Sequence, residues 1–209
     1  MTIRHVLLDA DGVLQTLPGG WVAAMTPYLG ERAEEFLHAT WADELPALRG
    51  EGDYLVDLAR ALDDFGVQAP LGELYAAVWH SIEVDPVSIA LVHRLRAAGY
   101  GVHLGTNQER HRAAYMRTAL GYDDLFDVSC YSCDLLVAKP DPTFFERAVR
   151  RIGAVAQEVL FVDDHGPNVE GARAAGLLGI RWTIADGHQR LERLLEDVGV
   201  RVAARPPGA

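Results

Sequence analysis

The chain has 209 residues, 49% of them hydrophobic, which suits one large domain or a core with a modest insertion. Its apolar runs are strand-sized, and the start MTIRHVLLDADG lacks the basic and apolar regions of a secretory signal, so no membrane span and no export are expected. A net charge of −11 sets it against nucleic acid, and two cysteines make no disulfide scaffold, so a cytoplasmic location is the default.

Residues 5–8 read as a buried strand that runs straight into Asp9-Ala10-Asp11-Gly12. Two like charges at a strand end repel each other and resist leaving water, so a cation or an open turn must offset them. An EF-hand loop does not fit, because its sixth position would be Leu14 and its twelfth Gly20.

From residue 16 to 85 the pattern is helical, with predicted helices over 21–25, 32–42, 54–65 and 71–80. This stretch holds three basic residues, Arg32, Arg49 and Arg60, against thirteen acidic ones, whereas the rest of the chain carries 16 basic and 17 acidic residues. So sharp a shift marks 16–85 as a separate helical unit inserted into a core formed by 1–15 and 86–209. Trp21, Trp41 and Trp79 read as the core of that unit rather than a substrate platform.

Beyond residue 85, strands and helices alternate. Strands are predicted over 101–105, 126–130, 159–162 and 179–184, and helices over 88–98, 110–120, 142–152, 168–175 and 188–198. Asp141 and Pro142 suit the cap and first position of the helix they open. Cys130 and Cys133 read as a packed pair near a strand end, without a second pair to complete a zinc site. Residues 201–209 read as a frayed tail. The alternation predicts an α/β fold, a doubly wound, Rossmann-like parallel sheet with helices on both faces.

Four polar clusters follow four of these strands: Asp9 to Gly12, Thr106-Asn107, Lys139-Pro140 and Asp163-Asp164. In open parallel sheets ligands bind at the carboxyl ends of the strands, so all four would share one rim. Oxygen donors without His or Cys favour Mg²⁺ over zinc.

The ordered motifs DADGVL, a Thr after an apolar strand, KPDP and FVDDHGPNVEGARAAG resemble the haloacid dehalogenase-like superfamily, and the insertion resembles its first, small helical cap class. The resemblance implies a role for each residue. Asp9 would be the nucleophile that forms an aspartyl-phosphate, and Asp11 the general acid–base, its backbone carbonyl touching the metal. Thr106 would hold phosphate oxygens, with Asn107 either joining it or capping a helix. Lys139 would neutralise charge on the nucleophile and the transferring group. The metal set would be Asp9, Asp11, Asp164 and Asp163, with Asp164 ranked above Asp163 as the direct ligand. Asn168 would steady Asp164 or cap a helix, and His165 would touch substrate or be solvated.

Dehalogenases of this superfamily lack the second aspartate, and its phosphonatases need a cap lysine, whereas 16–85 contains none. Asp11 therefore points to phosphoryl transfer. The expected activity is a Mg²⁺-dependent phosphomonoesterase acting on a small phosphorylated metabolite, neutral or cationic apart from its phosphate, such as a sugar phosphate. Arg49 is the expected cap residue reaching the substrate, or else a solvated charge at a helix end. A phosphomutase or a non-catalytic regulatory module on the same fold are the alternatives, and the oligomeric state stays open between monomer and homodimer.

Overall fold

The computed structural model describes residues 2–202; most of the predicted tail, residues 203–209, lies outside the described residues. Seven strands form: β1 His5–Leu8, β2 Gln15–Thr16, β3 Glu83–Val84, β4 Gly101–Thr106, β5 Val128–Tyr131, β6 Val159–Asp163 and β7 Leu178–Arg181. Helices between β2 and β3 are α1 Gly20–Leu29, α2 Ala33–Thr40, α3 Leu45–Leu48, α4 Tyr54–Asp64 and α5 Leu71–Trp79. Those that follow are α6 Pro86–Ala97, α7 Arg110–Thr118, α8 Tyr122–Leu125, α9 Ser132–Leu135, α10 Pro142–Ile152, α11 Gly166–Ala174 and α12 His188–Asp197.

Five strands make one parallel sheet in the order β5-β4-β1-β6-β7. β1 is central because it can bury both faces: Val6 and Leu7 are fully buried and Leu8 is 2% exposed. Each such side chain contributes about 1.5–3 kcal/mol relative to exposure. Helices α6, α7 and α12 cover one face around Val92, Met116 and Leu195, and α10 and α11 cover the other around Phe144, Phe145 and Ala172.

Register decides where the polar clusters meet. Leu8 pairs with Leu104 on one side and with Val162 on the other. The next residue, Asp9, therefore lies beside Asp163 at the end of β6, while Thr106 ends β4. The chain leaves β1 first for β4 and later crosses to β6, so the crevice between these strand ends is a topological switch point.

The insertion α1–α5 packs on a hydrophobic core of its own around Met25, Phe36, Leu58, Leu74 and Val78. It hangs from the β2–β3 ladder, where Gln15 pairs with Val84 and Thr16 with Glu83. The sequence pattern did not foretell this ladder, since two residues per strand are too few for a period to show. No helix of the described residues is long and apolar enough to cross a membrane. Cys130 and Cys133 are free and buried, and burial pushes their thiols up to about 12 and about 11.

Candidate active site

Lys139 is the only lysine of the chain, and its ammonium sits between two aspartates. Nζ lies 2.8 Å from Asp9 Oδ1 and donates to Asp163 Oδ2 at 2.7 Å, with the lysine side chain 1% exposed. Burial opposes that charge, but the carboxylates of Asp9 and Asp163 outweigh it and hold the lysine pKa above its ordinary value. Asn107 fixes the lysine from behind. Its Nδ2 donates to the Lys139 carbonyl at 2.9 Å, and its Oδ1 accepts from the Lys139 N–H at 2.8 Å.

Asp163 is held on both oxygens. Besides Lys139 it accepts from Asn168 Nδ2 at 3.2 and 3.0 Å and from the His165 N–H at 2.8 Å. Asn168 thus steadies Asp163, where the sequence offered Asp164 or a helix cap. Asp164 is half-buried and lines the cavity above the sheet. Each of Asp9, Asp163 and Asp164 offers an oxygen within 4.8 Å of the others. Burial, opposed by Lys139 and reinforced by Asp163, raises the Asp9 carboxyl to about 8. Burial and Asp163 likewise raise Asp164. Such a concentration of carboxylates, all oxygen donors, fits a hard divalent cation. Gly12 gives the cluster room: it sits at φ +79°, and a Cβ there would lie 2.5 Å from Asp164 Oδ2.

Asp11 stands apart. Its side chain turns from the other carboxylates to Arg112 of α7, whose Nη1 and Nη2 donate at 2.7 and 2.8 Å. Gln15 Nε2 and Gln108 Nε2 add bonds of 3.0 and 2.9 Å. Burial opposes the charge on Asp11, but the Arg112 guanidinium prevails and holds the carboxyl at about 2. Gln108 Nε2 also donates to Thr106 Oγ1 at 3.1 Å, and Thr106 lines the cavity.

The cavity measures about 590 Å³. From the sheet side Asp9, Asp11, Thr106, Lys139 and Asp164 reach it, so the structure brings these residues together. Arg49 is exposed and not in the lining; its charge acts on Asp141 at the start of α10, which corrects the expectation of a substrate contact. Asn107 also reaches the lining, with its side-chain amide bonded to the Lys139 backbone on both sides. Trp79 is buried in the core of the insertion, whereas Trp21 and Trp41 line the cavity, Trp41 with 60% of its surface exposed.

With this geometry in hand, residues 3–176 match the haloacid dehalogenase-like hydrolase family. The chain belongs to that family. The phosphoglycolate phosphatase of Yersinia pestis is 31% identical over 189 residues, covering 83% of this chain and 78% of the relative. The pyrophosphatase PpaX of Halalkalibacterium halodurans is 29% identical over 188 residues, covering 85% and 82%. Among solved structures, a haloacid dehalogenase family enzyme from Bacteroides thetaiotaomicron, a magnesium complex, superposes with a TM-score of 0.77 at 20% identity. That match covers 92% of this chain and 100% of the other, and it is a likeness of fold.

Within this family member, sequence reasoning overlooked Arg112, Gln108, Gln15 and Glu109. Glu109 caps α7, accepting from the N–H groups of His111 and Arg112 at 2.7 and 2.6 Å and from the hydroxyl of Tyr75 on α5. Arg112 also donates to the Trp79 carbonyl at 2.9 Å and lies 5.4 Å from the Trp21 ring centre. The signal was weak: Gln108 lies just before the α7 cap and Arg112 in its first turn, both following the Thr106 strand end, and their side chains meet at 2.9 Å.

Proposed function

We propose that this hydrolase is a Mg²⁺-dependent phosphomonoesterase that works through an aspartyl-phosphate on Asp9, with α1–α5 as its cap. The observation that carries the reading is Lys139, buried between Asp9 and Asp163 at the switch point, with Asp164 and Thr106 on the same cavity. Relatives that are phosphatases and a fold neighbour solved with magnesium support it.

Asp9 would attack phosphorus through a carboxylate oxygen, and the ester oxygen would leave with a proton from Asp11. Water would then attack the phosphoryl-aspartate, giving its proton to Asp11 and restoring Asp9. Held by Arg112, Asp11 is a carboxylate, the form required in the second step; to serve the first it must gain a proton and loosen its hold on Arg112. Lys139 would neutralise charge on Asp9 and the transferring group throughout. Mg²⁺, held by Asp9, Asp164 and the Asp11 carbonyl, would neutralise phosphate charge and orient the ester. The oxygen-only donor set and the raised carboxyls of Asp9 and Asp164 suit it. Thr106 would bind a phosphate oxygen, and the substrate would be a small phosphorylated metabolite.

An aryl phosphate assay tests this. The expected result is turnover that needs Mg²⁺ and is lost with EDTA and in Asp9→Asn. Acid-quenched single turnovers should show one phosphoryl group on the peptide holding Asp9. Turnover retained in Asp9→Asn would overturn the reading.

A further inference from the structure

Opposite the sheet side, the insertion builds a recess whose walls have no use in the chemistry above. Trp21, Trp41, Tyr54 and Trp79 surround it, and Glu44 closes it. The rings pack as a unit: Trp79 lies 5.7 Å from Trp21 and 5.5 Å from Tyr54, centre to centre. The recess shares Trp21, Trp41 and Glu44 with the main cavity, so the two adjoin.

Glu44 is half-buried, and among the described residues its carboxyl accepts no hydrogen bond and has no cation within ion-pair distance. Burial raises it to about 7, with Arg112 opposing and Glu109 and Asp11 adding to the rise. A carboxylate among aromatic faces is a costly arrangement for a neutral or anionic guest and a favourable one for a cation, which gains both the charge and the π faces. Trp21 already receives one cation in this manner, the Arg112 guanidinium. Carboxylate guests meet the opposite: the Arg and Lys side chains of the cavity, Arg112 and Lys139, are held by Asp11 and by Asp9 and Asp163.

Size narrows the class. The recess offers about 20 Å³, room for one group the size of water. A primary ammonium fits, and a trimethylammonium does not.

We infer that the recess is a leaving-group subsite and that the enzyme selects phosphomonoesters of alcohols bearing a primary ammonium. This rests on the phosphomonoesterase reading for its meaning, but its test does not need turnover. Alkyl phosphonates are not cleaved by ester hydrolysis, so their affinity reports binding alone. Calorimetry with Mg²⁺ present should compare ω-aminoalkyl phosphonates of two to four carbons with the unsubstituted alkyl phosphonates. The amine should tighten binding at least about tenfold at one chain length. That gain should vanish in Glu44→Gln and in Trp41→Leu, and the N-trimethyl analogue should lack it. No gain at any length, or a gain that survives Glu44→Gln, would overturn the inference. An enzyme that releases no phosphate from aryl phosphate or from the matching ω-aminoalkyl phosphate esters, yet still shows the gain, would refute the phosphomonoesterase reading and leave the cation subsite standing.

Discussion

Asp11 and Arg112, 101 residues apart in sequence, form a two-point ion pair at 2.7 and 2.8 Å across the mouth of the cavity. The arginine holds the core and the insertion at once, since it also bonds the Trp79 carbonyl at the end of α5. Arg112→Met removes donors from that carbonyl, from Gln108 Oε1 and from Asp11, and should cost about 1–3 kcal/mol at pH 7. The sign with pH follows from Asp11. Its folded pKa of about 2 lies below the ordinary carboxylate value, so the pair stabilises above that ordinary value and the contribution fades as pH falls toward 2. Urea midpoints at pH 7, 4 and 3 should therefore show the gap between wild type and Arg112→Met narrowing with acid. A gap that widens would contradict the pairing.

The three carboxylates around Lys139 predict opposite effects with and without metal. In EDTA, Asp9 raised to about 8 works against the fold at pH 7, because the unfolded chain gives up that proton near the ordinary value of 3.8. Asp9→Asn removes that cost but also one of the two anionic partners of buried Lys139, so in EDTA it should melt close to wild type, within about 2–4 °C. Mg²⁺ at a hundredfold over Kd should stabilise wild type by about 2.7 kcal/mol. Asp164→Asn should lose most of that increment without losing stability in EDTA. Asp163→Asn should destabilise in both conditions, since it disturbs bonds to Lys139, Asn168 and the His165 N–H. Thermal melts of the four proteins in EDTA and in Mg²⁺ check this.

Much of this site was legible because it is written in local pattern. An apolar run ending in carboxylates gave β1 and Asp9, and Asp141-Pro142 set the start of α10 at the observed residue. What stayed hidden depends on distance in sequence. Arg112 at a helix start looks like a solvated charge until its partner from the β1 loop is known. Asn168 suits either neighbouring aspartate or a helix cap in sequence alone, and only the fold shows that it reaches Asp163. Glu44 looks like one of thirteen acidic residues on a charged insertion, and only the packing of Trp21 and Trp79 shows what surrounds it. Four-residue α3 and α9 are too short for a helical period.

Two glycine-to-alanine substitutions should act with opposite sign. Gly171 of α11 faces the loop that carries Lys139, and a Cβ there would come within 2.1 Å of the Pro140 carbonyl oxygen. Gly171→Ala should cost about 1–3 kcal/mol through overpacking and lower kcat about tenfold or more by displacing the ammonium, though it touches no substrate. Gly72 on α5 has open space around its would-be Cβ. Gly72→Ala should gain about 0.5 kcal/mol from the smaller entropy of the unfolded chain and leave kcat unchanged. Denaturant melts and aryl phosphate kinetics on the two variants give the comparison. Equal effects would show that the close approach of α11 does not position Lys139.

The opposite end of the sheet carries a second titratable pair. His103 on β4 is 3% exposed, its Nε2 lies 3.1 Å from His5 Nδ1, and its Nδ1 has no partner among the described residues. Burial, with the His5 charge adding, lowers His103 to about 4. In the unfolded chain it takes a proton near pH 6.5, so stability should fall as pH drops from 6.5 to 4, by on the order of 1–3 kcal/mol from this residue. His103→Leu removes both the proton and the unpaired nitrogen. Its stability relative to wild type should therefore rise steadily across that window and level off below pH 4. Urea midpoints measured at half-unit steps decide the matter, and a difference independent of pH would mean that His103 titrates alike in both states.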